Sequence, residues 1–98
     1  MKIKDLFQDK GVLRHGIYLY SKDVAIEFVK TCKQHNIKIL GIDALFISAK
    51  GIQPSMDDSV DFTAQNILNF KEINSYDYAI RFLLERDPKF LFEIVINE

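Results

Sequence analysis

The sequence predicts an α+β fold: a mostly antiparallel sheet of about four strands with two main helices packed on one face. Three observations carry that expectation. Two stretches, one after Ser21 and one after Ser75, repeat apolar residues at helical spacing. The final stretch, Lys89 to Ile96, alternates strictly between two faces, with Phe90, Phe92, Ile94 and Ile96 on one and Leu91, Glu93 and Val95 on the other. Strand-like and helix-like stretches do not alternate regularly along 98 residues, which disfavours a parallel sheet built from strand-helix-strand units. At that length, with 48% hydrophobic residues, the chain is one domain with enough apolar material for a core.

Ile3, Leu6 and Phe7 have helical spacing, so Ile3 to Gln8 is expected to form a short helix that stops before Gly11. His15 to Tyr20 alternates, with Ile17 and Leu19 on one side and Tyr18 and Tyr20 on the other, as a short strand does. Ser21 is a helix N-cap, and Asp23 places a negative charge in the first turn, where the helix dipole favours it. Ala25, Phe28, Val29 and Cys32 then form an inner stripe while Lys30, Lys33 and Gln34 face outwards. Asn36 suits the left-handed residue that closes such a helix. Ala49, Lys50 and Gly51 form the turn leaving the next strand, and Ile52 to Phe62 reads as a loop running into a short strand at Val60 to Thr63. The periodicity of residues 64–74 assigns no element. Ser75 caps a second helix, Tyr76 to Arg86, with Asp77 in its first turn and Tyr76, Ala79, Ile80 and Leu83 inside. Asp87-Pro88 ends it, because proline disfavours helical geometry in the residue before it.

The chain turns on Ile37 to Phe46, IKILGIDALF. This is its most concentrated apolar run, yet its middle departs from strand chemistry twice. Gly41 gives up a side chain in a strand interior, and Asp43 puts a carboxylate among Leu40, Ile42, Ala44 and Leu45. A bulge at Gly41 would re-aim the following residues and send Asp43 to an edge or a partner. The other reading makes Asp43 a turn cap or the acceptor of a buried hydrogen bond.

Composition excludes several function classes. The single Cys32 forms no intramolecular disulfide, so a reducing cytoplasm suits the chain. Asp5, Asp9 and Lys10 interrupt the start before a signal sequence could form, and no apolar run is long enough to span a membrane. The net charge of −1 conceals a split: residues 1–38 carry +4 and residues 39–98 carry −5. Residues 51–70 contain Asp57, Asp58 and Asp61 with no lysine or arginine, a local field that repels nucleic acid and attracts a basic partner. Lys22, Lys30 and Lys33 with Tyr18 and Tyr20 are the residues a nucleic-acid surface would use, but an acidic pI of about 6.1 argues against direct nucleic-acid binding.

Catalytic and metal motifs are weak. Asp57, Asp58 and Asp61 spell the D-D-x-x-D pattern that binds magnesium through diphosphate in terpene and prenyl synthases, where it sits on a helix in a deep all-helical cavity. Here it follows Pro54 and precedes a strand. Cys32 and His35 have C-x-x-H spacing without two further zinc ligands, and Cys32 lies on the apolar stripe, where a structural thiol belongs. His15 and His35 sit in no recognisable catalytic arrangement. The expectation is a protein without enzymatic activity, metal or cofactor.

Between residues 21 and 62 the order Ser21, Ala25-Ile26-Glu27, a helix, Ile39-Leu40-Gly41-Ile42-Asp43, then a Gly51-containing loop ending in an aromatic resembles the immunity proteins of tRNA-cleaving colicins. It is similar also to a broader bacterial family of polymorphic-toxin immunity proteins, in which a helix runs into an I-L-G-x-D strand. The resemblance spans about 40% of the chain. It implies a small cytoplasmic inhibitor, monomeric or weakly dimeric, that covers the basic active site of a cognate toxin, an RNase-type domain, with acidic and aromatic groups in place of RNA. Asp43 matches the strand aspartate, and residues 51–62 match the binding segment. Asp57, Asp58 and Asp61 would then stand in for phosphates, with Phe62 as a stacking residue. The colicin inhibitors carry tryptophan near these positions and this chain has none, which leaves the toxin's chemistry open. Two other functions remain in view: a self-associating adaptor that pairs through the Leu91 and Val95 side of the last strand, and a small metal-dependent enzyme using the three aspartates.

Overall fold

A computed structural model describes residues 2–62 and 75–97. It shows an α+β fold. The chain runs α1 (Ile3–Phe7), a 3-10 turn (Gln8–Lys10), β1 (Val12–Arg14), β2 (Ile17–Leu19), α2 (Lys22–Gln34), β3 (Lys38–Ser48), β4 (Gly51–Asp61), α3 (Ser75–Leu84) and β5 (Leu91–Asn97). One antiparallel sheet has the order β4-β3-β5, and β1 and β2 form a separate hairpin. The two sheets meet where Tyr20 and Phe92 exchange backbone hydrogen bonds of 2.8 Å each.

α2 and α3 cover one face of the sheet. Ala25, Phe28, Val29 and Cys32 of α2, all fully buried, meet Ile39, Ile42 and Ala44 of β3 and Phe92 and Ile94 of β5. Ala79 and Leu83 complete the layer from α3, with Tyr76 and Ile80 partly buried beside them. α1 closes one end: Phe7 packs on Tyr20 and Phe28 with ring centroids 6.3 and 5.0 Å apart.

The caps follow the local chemistry. The Ser21 side chain accepts from Val24 N–H at 3.5 Å, and Asn36 has the left-handed φ of 55° that a short polar side chain tolerates. Asp87 Oδ1 accepts from Lys89 N–H at 2.8 Å, an Asx turn that redirects the chain from α3 into β5.

Three expectations need correcting. The strand expected over His15 to Tyr20 is one arm of a hairpin, because His15 and Gly16 both have positive φ (52° and 79°) and make the two-residue turn that returns β1 to β2. Ile17 lies beside this turn and is exposed, whereas Leu19 is buried. The stretch from 52 to 62 is not a loop with a short strand. It is most of an eleven-residue strand paired with β3 through the Ala49-Lys50 turn. Pro54 is tolerated because, among the described residues, β4 lies at the edge of the sheet, where its missing N–H removes no ladder bond from the sheet interior. α3 spans Ser75–Leu84, two residues short of the expected end. Residues 63–74, including the end of the short strand expected at Val60 to Thr63, and the Ser75 side chain lie outside the described residues.

Candidate functional site

Asp43 sits where both neighbours of β3 change register. Toward β5, Ile39 pairs with Ile96 and Gly41 with Val95, so Leu40 is an extra residue. Toward β4, Ile42 pairs with Val60 and Ala44 with Ser55, so Asp43 alone faces the four residues 56–59. The chain thus contains the irregularity that Gly41 and Asp43 imply. Gly41 stands at a close approach: a Cβ there would lie 3.0 Å from the Val60 carbonyl oxygen, tighter than most such contacts.

The excursion at 56–59 is pinned at its base. Ser59 Oγ accepts from Ala44 N–H at 2.9 Å, supplying the partner that a regular β4 would have given, and donates to the Ser55 carbonyl at 2.7 Å. This construction projects Met56, 79% exposed, and Asp57, also exposed, beyond the sheet. Beneath them a cleft of about 460 Å³ is lined by Leu40, Gly41, Asp43, Met56, Ser59, Val60, Asp61 and Val95.

The expected site residues separate. Asp43 and Asp61 border one cleft, and Asp57 stands on the excursion above the sheet without lining it. Asp58 turns elsewhere. It accepts from Ser55 Oγ at 2.7 Å and lies 3.6 Å from Arg86 Nη1, so the chain itself neutralises it. Phe62 is half-buried against the core, edge-to-face with Tyr78 at 5.8 Å, and its N–H donates to Leu40 O at 2.9 Å. Its ring supports β4 rather than standing out from it. Among the described residues no group of three or more His, Cys, Asp and Glu side chains could hold a metal ion.

Glu93 is the residue that sequence reasoning passed over. It lies directly opposite Asp43 in the β3–β5 register, on the face turned away from the long helices, so the two carboxyls face one another. Burial raises the Glu93 pKa above its ordinary value; the facing Asp43 carboxylate adds to this, and Lys4 opposes it. The signal was present: Glu93 falls between Leu91 and Val95 on the second face of the last strand, as unusual there as Asp43 is in β3.

The lysines of α2 are largely engaged within the chain. Lys22 Nζ donates to the Leu84 and Arg86 carbonyls at 2.7 and 2.9 Å, capping the end of α3, and Lys33 pairs with Asp77 at 3.1 Å. The nucleic-acid surface considered from sequence therefore loses two of its three lysines to structural roles.

No helix among the described residues is long and apolar enough to cross a membrane. Comparison with protein-family models, with curated proteins and with solved structures finds no match to this chain.

Proposed function

We propose that this chain is an immunity-type inhibitor that binds and neutralises a cationic toxin, a nuclease-type domain, through the sheet face turned away from its helices. The cleft around Asp43 carries the proposal. Its walls are Leu40, Val60, Val95 and Met56, its polar rim holds Asp43 and Asp61, and no lysine or arginine lines it among the described residues. Arginine and lysine side chains have an apolar stem and a charged head, and a cleft with apolar walls and a carboxylate complements both parts. A nuclease is cationic where it grips phosphates, so an acidic inhibitor gains fast, salt-sensitive association. Asp57 on the excursion adds to the field. The order of residues 21–62, which resembles the colicin and polymorphic-toxin immunity families, supports the same partner class and a cytoplasmic site of action.

The test is co-expression of the full chain with the product of the neighbouring reading frame, followed by co-purification. The complex should form, and Asp43→Asn with Asp57→Asn should weaken it by about tenfold or more and lower its salt dependence. Undiminished affinity in the double variant would move the interface elsewhere.

A self-associating adaptor is the second reading. The β1 edge, with Val12 and Leu13 exposed, favours it. Pairing through β5 does not fit as well, because Tyr20 already occupies that edge at Phe92. A monomer by light scattering at high concentration would remove this reading.

A further inference from the structure

Asp43 and Glu93 oppose one another across β3 and β5 on one face of the sheet, and two facing carboxyl groups disfavour double ionisation, which favours a proton kept on one of them. Burial is the first cause that favours the protonated form of Glu93, with the Asp43 charge next, so Glu93 holds its proton to higher pH than an ordinary glutamate. Glu93 has a second outlet. It also lines a pocket of about 60 Å³ between the hairpin and β5, together with Lys4, Gly16, Tyr18 and Tyr20. Tyr20 is 2% exposed, and its hydroxyl is buried with no hydrogen-bond partner among the described residues. A buried hydroxyl without an acceptor is costly, and an ionised Glu93 would supply the acceptor directly or through water, for which this pocket has room.

α1 contributes Lys4, β2 contributes Tyr18 and Tyr20, β3 contributes Asp43, and β4 brings Asp61 to the cleft that Asp43 lines. α2 adds only Phe28 to the smaller pocket, and α3 packs on the opposite face of the sheet.

We propose that Asp43 and Glu93 form a proton-held latch, opened when an arginine or lysine side chain of a docking protein enters the cleft beside Asp43. The incoming cation takes over Asp43, the Glu93 proton passes to bulk water, and the freed Glu93 carboxylate is held by the Tyr20 hydroxyl and Lys4. Docking on this face is therefore linked to pH and strengthens as pH rises, because the proton that competes with the cation is then less firmly held. The nature of the cation rests on the proposed function, whereas the Glu93 proton belongs to the chain alone.

Carbon-13 NMR titration of the side-chain carboxyls in the full chain tests this. In the wild type Glu93 should titrate above the ordinary glutamate value; a midpoint at or below that value overturns the latch. Asp43→Asn should lower the midpoint, and Tyr20→Phe should raise it further by removing the donor that waits for the ionised form. No change in Tyr20→Phe overturns the receiving side. A saturating tri-arginine peptide should lower the wild-type midpoint and leave that of Asp43→Asn in place; an unmoved wild-type midpoint overturns the coupling to a cation. Stability supplies a separate readout. The folded chain holds this proton more tightly than the unfolded chain, so the contribution is complete below the unfolded value and is lost as pH rises through the folded one. Denaturant midpoints should fall across that window, and Glu93→Gln should flatten the slope. Failure of a toxin to co-purify would count against the proposed partner and leave these titrations as they are.

Discussion

Asp57 and Asp58 are adjacent, yet among the described residues only Asp58 has a cation beside it. The Arg86 guanidinium that meets Asp58 also lies 4.3 Å above the Phe82 ring, and its side chain is 19% exposed. A partly desolvated arginine needs its counter-charge far more than a solvated one does. Asp58→Ala also removes the acceptor for Ser55 Oγ at the base of the excursion. It should cost about 1–2 kcal/mol, whereas Asp57→Ala on the exposed tip should stay within about 0.5 kcal/mol. Urea unfolding midpoints decide the matter, and equal losses would contradict the division of labour described for the pair. A triple replacement of Asp57, Asp58 and Asp61 is therefore a poor probe of docking, because it mixes a structural ion pair with surface charges.

At the scale of elements, β3 and β4 are held in an unusual register by backbone proximity as well as by side chains. Gly41 and Gly51 separate these effects. At Gly41 a methyl group would press on the Val60 carbonyl at 3.0 Å, with Asp43 two residues on. At Gly51 nothing lies within 4 Å, but φ is 108°, which only glycine adopts without strain. Each glycine replaced by alanine should cost about 1–3 kcal/mol, Gly41 by crowding and Gly51 by backbone strain. Only Gly41→Ala should also disturb the cleft. Thermal unfolding together with the chemical shifts of Asp43 and Glu93 tests this: shifts that move as much in Gly51→Ala would show the cleft geometry to depend on the hairpin turn instead.

Across the whole molecule the charge split resolves into two sides. Three basic residues of the first 38 positions are engaged near the helices, Lys22 on the α3 carbonyls, Lys33 on Asp77 and Lys10 on Glu27 at 3.5 Å, whereas Lys4 lies by Glu93. On the far side of the sheet Asp43, Glu93 and Asp61 sit among Leu40, Leu45, Leu91 and Val95. Holding these faces apart requires the sandwich of helices on sheet, and Phe28 is its pivot, fully buried with Phe7 and Tyr20 rings 5.0 and 5.3 Å away. Phe28→Ala should cost about 3–5 kcal/mol, a large share of the roughly 5–15 kcal/mol that stabilises a small domain. A loss below about 1 kcal/mol in chemical denaturation would mean that the core closes by other contacts.

Local chemistry was enough to read α2 with its Ser21 and Asn36 caps, the inner stripe of α3, the two faces of β5 and the anomaly at Gly41 and Asp43, because caps and periodicity act between residues a few positions apart. The same logic missed β1, whose three residues carry too little pattern, and mistook β4 for a loop, because proline and aspartates are loop residues everywhere except at a sheet edge with a bulge. The candidate site was half legible. Asp43 stood out as a charge in an apolar run, whereas its opposition to Glu93, the cleft it shares with Asp61 and the capture of Asp58 by Arg86 join residues 18 to 50 positions apart. Strand register and helix placement decide which distant carboxyls meet and which find a counter-charge, and those are set only when the core closes.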